Sequence, residues 1–139
     1  MSILIQQIDS TDTWPIRHRV MWPEKPMDYI QLAQDPEGWH YGLFVETRLV
    51  SVVSLFFEHG IAQFRKFATE KDVQGKGYGS QLLAYVMVEA EKAGARKIWC
   101  NARVERTGFY ERFGLQKTDE IFYRGKQRYV VMEKELFQF

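Results

Sequence analysis

The chain has 139 residues, 45% of them hydrophobic and 27% charged, with a formal net charge of +1. That length suits one domain around one core, and the composition excludes a disordered chain. A charge so near zero gives no chain-wide field for nucleic acid or an acidic surface.

A single cysteine, Cys100, rules out an internal disulfide and fits a reducing compartment. The first apolar run, Ile3-Leu4-Ile5, is too short for a signal-peptide core. No apolar stretch approaches the length that spans a bilayer. The expectation is one domain over residues 1–139, cytoplasmic, with no nucleic-acid or membrane partner and no metal.

Met1 to Ile8 reads as a first strand. Ser10-Thr11-Asp12-Thr13 offers helix caps and Pro15 suits a first turn, so a short helix is expected from Trp14 to about Met21. Pro23 and Pro26 break it. Residues 27–38 are ambiguous, and a second short helix ending near Asp35-Pro36 is one reading. Trp39 to Thr47 and Arg48 to Glu58 read as two strands of a meander, carried by Val50, Val52, Val53, Leu55 and Phe56. His59-Gly60 suits the next hairpin turn, and Ile61 to Thr69 a further strand. Phe64 and Phe67 lie an odd number apart. Either both sheet faces are covered there or a bulge re-aims one ring.

The element after residue 80 has the clearest pattern. Leu82, Leu83, Val86, Met87 and Ala90 form one helical stripe, Glu89, Glu91 and Lys92 lie off it, and Gly94 sits where a C-terminal cap belongs. Lys97 to Ala102 is then a strand, and Thr107 to Phe113 a short helix closed by Gly114. Leu115 to Tyr123 and Gln127 to Glu133 form a hairpin across Arg124-Gly125-Lys126. This is a mixed α/β domain: an antiparallel meander with one strand-helix-strand crossover near its middle.

The stretch Val73-Gln74-Gly75-Lys76-Gly77-Tyr78-Gly79-Ser80 places three glycines between a strand and that helix. Helical N–H groups in a first turn have no internal partner and can hold an anion, and glycines let the backbone approach it closely. A P-loop is excluded, because Lys76 is followed by Gly77 and position 70 is Glu. A dinucleotide fingerprint fails as well, since it demands glycine where Ser80 or Leu82 stands.

Gln74-Gly75-Lys76-Gly77-Tyr78-Gly79 resembles the Gln/Arg-x-x-Gly-x-Gly/Ala signature of the GCN5-related N-acetyltransferases, the GNAT superfamily. The strand FRKFAT, the loop, the helix, the strand KIWCNAR and the segment FYERFGL follow in that family's order. The resemblance implies the acyl-CoA N-acyltransferase fold, a mostly antiparallel sheet whose fourth and fifth strands splay apart. It implies acetyl-CoA as cosubstrate and a small amine as acceptor. It places the pyrophosphate on the amides of Gln74, Gly75, Lys76, Gly77, Tyr78, Gly79 and Ser80. It places an oxyanion donor on the fourth strand, around Phe67, Ala68 and Thr69.

Acyl transfer to an amine needs a neutral nitrogen, a donor for the oxyanion and a proton for the leaving thiolate. Tyr110, in FYERFG, matches the family's acid near the coenzyme sulfur and is expected to face the cleft while Phe109 and Phe113 are buried. Some relatives carry a glutamate base on the fourth strand; the matching position here is Gln63, which cannot accept a proton. Glu58, His59, His40 and His18 are the chemical alternatives, and deprotonation through water is equally open. Where many relatives have an asparagine on the fifth strand this chain has Arg103, with Asn101 two residues earlier on the same face. Asn101 suits the amides of the coenzyme arm and Arg103 a phosphate.

Trp14, Arg17, His18, Arg19, Trp22 and Tyr29 fall where the family holds its acceptor, and fit an aromatic or anionic molecule or ordinary packing. Cys100 is expected to be buried and inert. The apolar tail Leu136-Phe137-Gln138-Phe139 suits cover by a second subunit, as in a homodimer, or by the domain itself. A non-catalytic acyl-CoA sensor and an acetyltransferase acting on protein lysines or N-termini stand as alternatives, kept open by Gln63.

Overall fold

The computed structural model describes residues 2–136. Met1 of the expected first strand and Phe137, Gln138 and Phe139 of the apolar tail lie outside the described residues, and with them the question of what covers the tail. Seven strands form one sheet: β1 (Ile3–Ile8), β2 (Trp39–Val45), β3 (Arg48–Glu58), β4 (Ile61–Thr69), β5 (Lys97–Arg103), β6 (Gln116–Arg124) and β7 (Gln127–Glu135). Their order across the sheet is β1-β2-β3-β4-β5-β7-β6. Every neighbouring pair is antiparallel except β4 and β5, which are parallel and joined by the crossover helix α2 (Tyr78–Lys92). No helix among the described residues is long and apolar enough to cross a membrane.

Strand alternation sorts the sheet into two faces. Leu43, Val53, Leu55, Ala62, Phe64, Ile98, Cys100 and Met132 meet the Leu82, Leu83, Val86 and Ala90 stripe of α2 in the main core. The opposite face holds a smaller cluster in which Val52 and Ala68 pack on Ile16.

Ile16 belongs to α1, which spans Ser10–Ile16. The helix begins a turn earlier than the sequence suggests. Asp9 is the extended capping residue, and its N–H donates to the Asp12 carboxylate at 3.3 Å. Pro15 therefore lies in the body of α1 rather than its first turn and gives the helix no N–H. The chain continues into a wider π turn over Arg17–Met21. The ambiguous residues 27–38 hold two 3-10 turns, Met27–Ile30 and Asp35–Glu37, instead of one helix.

These short pieces are tied to the sheet by buried polar contacts. The Arg17 guanidinium is fully buried and donates to both Asp35 oxygens at 2.9 and 3.0 Å, to the Ile30 carbonyl at 3.1 Å and to Ser54 Oγ at 2.9 Å. Asp35 also accepts from Trp14 Nε1 at 3.1 Å and from the Leu32 N–H at 3.0 Å. Thus one ion pair fixes the π turn, both 3-10 turns and β3 together.

β4 contains the bulge left open by its sequence. Ser54 pairs with Arg65 and Val52 with Ala68, so Lys66 and Phe67 together face Val53 alone. Lys66 takes the left-handed conformation, φ 56°. The extra residue brings Phe67 back to the face of Phe64, and the two rings meet edge to face at 6.5 Å.

Asp35→Ala would leave Arg17 as a buried unpaired charge. It is expected to lower stability by about 3–5 kcal/mol, read from urea denaturation. An unchanged midpoint would mean that Arg17 is not held by this carboxylate. Burial alone would raise the Asp35 carboxyl, but the bonds from Arg17, Leu32 and Trp14 outweigh it and hold the group below its ordinary value. The unfolded chain then binds this proton more readily. The contribution is present above about pH 4 and lost as pH falls through the lower folded value, which denaturation midpoints taken on the acid side will show.

Candidate active site

β4 and β5 pair only through Ile61–Lys97, Ala62–Ile98 and Gln63–Trp99. Beyond Gln63 the strands part, while β4 stays paired to β3 as far as Thr69. The Glu70 N–H donates to the Val50 carbonyl at 2.8 Å, so Glu70 turns its backbone toward β3. By alternation Ala68 does the same and Thr69 turns its backbone to the gap. The Thr69 carbonyl accepts there from Gln74 Nε2 at 2.9 Å. Of the three β4 residues expected at the acyl group, Phe67 and Thr69 border the gap. Ala68 instead lays its methyl on the second cluster.

The glycine stretch leaves β4 through a 3-10 turn, Lys71–Val73, and enters α2 at Gly77. Gly75 and Gly77 have φ of 84° and 88°, a region that L side chains disfavour. A Cβ on either would meet nothing within 4 Å, so conformation and not crowding requires glycine. Gly79 differs: its Cβ would lie 3.2 Å from both the Phe67 ring and Thr69 Oγ1, so glycine there seats α2 directly on β4. The first bond of the helix runs from the Gln81 N–H to the Gly77 carbonyl. Every backbone N–H from Gly75 to Ser80 is left without an acceptor among the described residues. The Tyr78 ring is buried in the core and offers only its N–H, whereas the Gln74 and Lys76 side chains are exposed.

Across the gap, α3 (Thr107–Glu111) is shorter than the sequence suggests and carries Tyr110. Phe109 and Phe113 are half-buried, not buried, because a single helical turn cannot cover them. Phe109 stacks on Phe67 at 6.0 Å, and the Tyr110 ring lies 5.7 Å from Phe64. Thus α3 closes one side of the gap onto the bulged strand. Burial raises the Tyr110 phenol above its usual value, Cys100 adds to this, and Arg106 and Arg103 oppose it. Tyr110 keeps its proton at neutral pH. Burial likewise pushes the Cys100 thiol up to about 12, so no thiolate nucleophile is offered. Asn101 and Arg103 are both exposed on the face of β5 turned away from the core.

No base candidate reaches this place freely. Glu58 and His59 sit at the exposed β3–β4 turn, 4.0 Å from each other. His40 Nε2 donates to the Asp35 carbonyl at 2.8 Å and Nδ1 bonds Ser54 Oγ at 2.7 Å, so both ring nitrogens are engaged. His18 bonds the Lys25 carbonyl. Trp14 and Arg17 are consumed by the Asp35 network, and Arg19 pairs with Glu70. The sequence reading passed over Arg65 and Lys66, which stand at the bulge where the strands separate. Two adjacent cations at the one place where the Phe64–Phe67 spacing breaks alternation were the available signal.

Solved structures share this architecture. The ribosomal-protein-S18-alanine N-acetyltransferase of Escherichia coli superposes with a TM-score of 0.83 at 18% identity, covering 99% of this chain and 96% of that one. A Bacillus subtilis acetyltransferase in complex with CoA gives 0.78 at 18% identity, covering 98% and 100%. In sequence, the uncharacterized N-acetyltransferase YitI of Bacillus subtilis (strain 168) is 29% identical over 142 residues, 95% of each chain. The family described as Acetyltransferase (GNAT) domain matches residues 18–136, from the π turn to the end of the described chain. A match of that extent makes the assignment plain: this chain belongs to the GNAT family and is an acyltransferase.

Proposed function

We propose that this single domain transfers the acetyl group of acetyl-coenzyme A to the primary amine of a small molecule. The reading is carried by the unbroken run of free N–H groups from Gly75 to Ser80 beside a parted pair of strands. Successive amides that end in a helix N-terminus suit a diphosphate, and the open space above Gly75 and Gly77 lets one approach. The coenzyme-bound Bacillus subtilis relative supports this choice of ligand.

Acetyl-coenzyme A supplies, when bound, an acyl group activated as a thioester. In this reading the amides of Gly75, Lys76, Gly77, Tyr78, Gly79 and Ser80 hold its diphosphate, with the Lys76 charge alongside, while the Gln74 N–H stays bonded to the Lys71 carbonyl. Asn101 takes the amides of its arm and Arg103 a phosphate. The backbone at Phe67 and Thr69 orients the acyl carbonyl, and the Thr69 N–H, turned to the gap, steadies the negative charge that develops on oxygen, whereas the Ala68 backbone stays bonded to β3. Gln74 holds the carbonyl of the same residue, in the following peptide. The amine's proton leaves through water as the C–N bond forms. Tyr110 protonates the sulfur as the C–S bond breaks and recovers its proton from solvent.

Calorimetry should record binding of coenzyme A to the wild type. Gly77→Val forces a β-branched residue to φ 88°, costing about 1–2 kcal/mol, and is expected to weaken that binding about tenfold. No heat from the wild type, or equal affinity in the variant, would remove the cradle. Tyr110→Phe is expected to lower kcat about tenfold to a hundredfold while the KM for acetyl-coenzyme A holds. The raised phenol also means that wild-type kcat should show no loss from tyrosine ionisation below about pH 10. A Tyr110→Phe enzyme with unaltered kcat would take the acid role from this residue.

A further inference from the structure

The face of the sheet opposite α2 carries cations that the acyl-transfer machinery does not use. Arg65 and Lys66 are half-buried at the bulge, just past the point where β5 departs. Arg124 stands at the exposed tip of the β6–β7 hairpin, within electrostatic reach of both. None of the three side chains has a hydrogen bond or ion pair among the described residues. Among the described residues Asp35 is the one carboxylate that acts on Arg65 and Lys66, and its oxygens are already taken by Arg17, Trp14 and Leu32.

The surroundings make this arrangement unfavourable as it stands. Burial, then Arg65, Arg17 and Arg124, pull the Lys66 amine down to about 8, against the opposing pull of Asp35. Burial and the same like charges lower Arg65. Lys66 also holds a left-handed backbone, φ 56°, a conformation that side-chain-bearing residues disfavour. A solvated surface would let such cations spread apart. Here aromatic rings hold the two arginines. The Arg65 guanidinium lies 5.9 Å from the Phe56 ring centre, and Arg124 lies 5.8 and 5.6 Å from those of Phe122 and Tyr129, which are stacked on each other. A guanidinium laid on a ring keeps its N–H edge for a planar anion.

We propose that Arg65, Lys66 and Arg124 form the acceptor-recognition site, and that the acceptor is a small amine carrying an anionic group. The inference rests on the acyl-transfer reading above. It places the acceptor's anion across the gap from the amide row of Gly75 to Ser80. Carboxylate and phosphonate share the required chemistry.

Thiol release from acetyl-coenzyme A is to be compared in matched pairs: glycine with glycinamide, phenylalanine with its amide, and 2-aminoethylphosphonate with ethylamine, beside spermidine as a polycation. The anionic member of at least one pair is expected to have a kcat/KM at least tenfold higher, and the pair that responds identifies the anion. Each neutral amide is the less basic amine and is more fully deprotonated at neutral pH, so the supply of free amine runs against that order. Arg124→Ala, at an exposed hairpin tip, should raise the acceptor KM about tenfold with the KM for acetyl-coenzyme A unchanged. Arg124→Glu should move the preference to neutral or cationic amines. A wild type that binds coenzyme A by calorimetry yet favours the amides or spermidine, releases thiol with none of these amines, or keeps its acceptor KM in Arg124→Ala overturns this inference alone. A wild type that gives no heat with coenzyme A overturns the acyl-transfer reading and this inference with it.

Discussion

β4 shares three residue pairs with β5 and then runs on with a partner on one side only. In a closed sheet each backbone group facing that missing partner would be bonded, and leaving it dry and unpaired would be costly. The fold meets this by opening the gap instead of burying it. Gln74 reaches back to the Thr69 carbonyl, while α3 covers the other flank by stacking Phe109 on Phe67. The parting also decides where α2 begins, because Gly79 must let the helix touch Phe67 and Thr69 at the strand's end. A row of free amides and a wedge of free strand edge are thus two results of one departure from regular pairing.

The bulge at Lys66 belongs to the same constraint. Without its extra residue, Phe67 would point to the face of Arg65 and the aromatic wall formed with Phe64, Phe109 and Tyr110 would lose a member. With it, Arg65 and Lys66 are left on the side of the Arg17–Asp35 pair. That pair is internally balanced and serves to pin short turns that lack a helix's own cooperativity. It has no charge to spare for its neighbours. The positive potential at the mouth therefore follows from packing demands on the other face of β4, together with the identity of the two residues that the bulge displaces.

Elements governed by local periodicity were legible in the sequence. The α2 stripe, the meander and the glycines at Gly75 and Gly77 each carry their reason within a few residues. The start of α1 was not, because Asp9 and Ser10 are both good caps and only the return bond from Asp12 selects Asp9. Residues 27–38 take their shape from Arg17 and Asp35, eighteen positions apart, which no local pattern reports. In the site, the amide row and Tyr110 could be placed from motif spacing. Ala68 could not be sorted from Thr69 until the pairing with β3 was known, and Arg65 and Lys66 look like any solvated strand face until the uncovered charge of Arg124 is brought beside them.

The state of the two reactive side chains nearest the gap limits the chemistry. A thiol held near 12 offers almost no thiolate at neutral pH, so Cys100 cannot carry the acyl group between substrates. A phenol raised by burial can donate a proton but cannot remove one. Cys100 therefore offers no acyl-carrying thiolate, and the proposed reading has the acceptor amine attack the thioester directly, with Tyr110 as the donor to the departing group. Such a route depends on holding two ligands in line more than on any one protein base. It is consistent with Gln63 at the place of a carboxylate, and with His18 and His40 committed to structural bonds. In the proposed reading, positioning comes from the amide row and from Arg65, Lys66 and Arg124, and the spacing between them, set by β4, the loop into α2 and the β6–β7 hairpin, selects which amines can react.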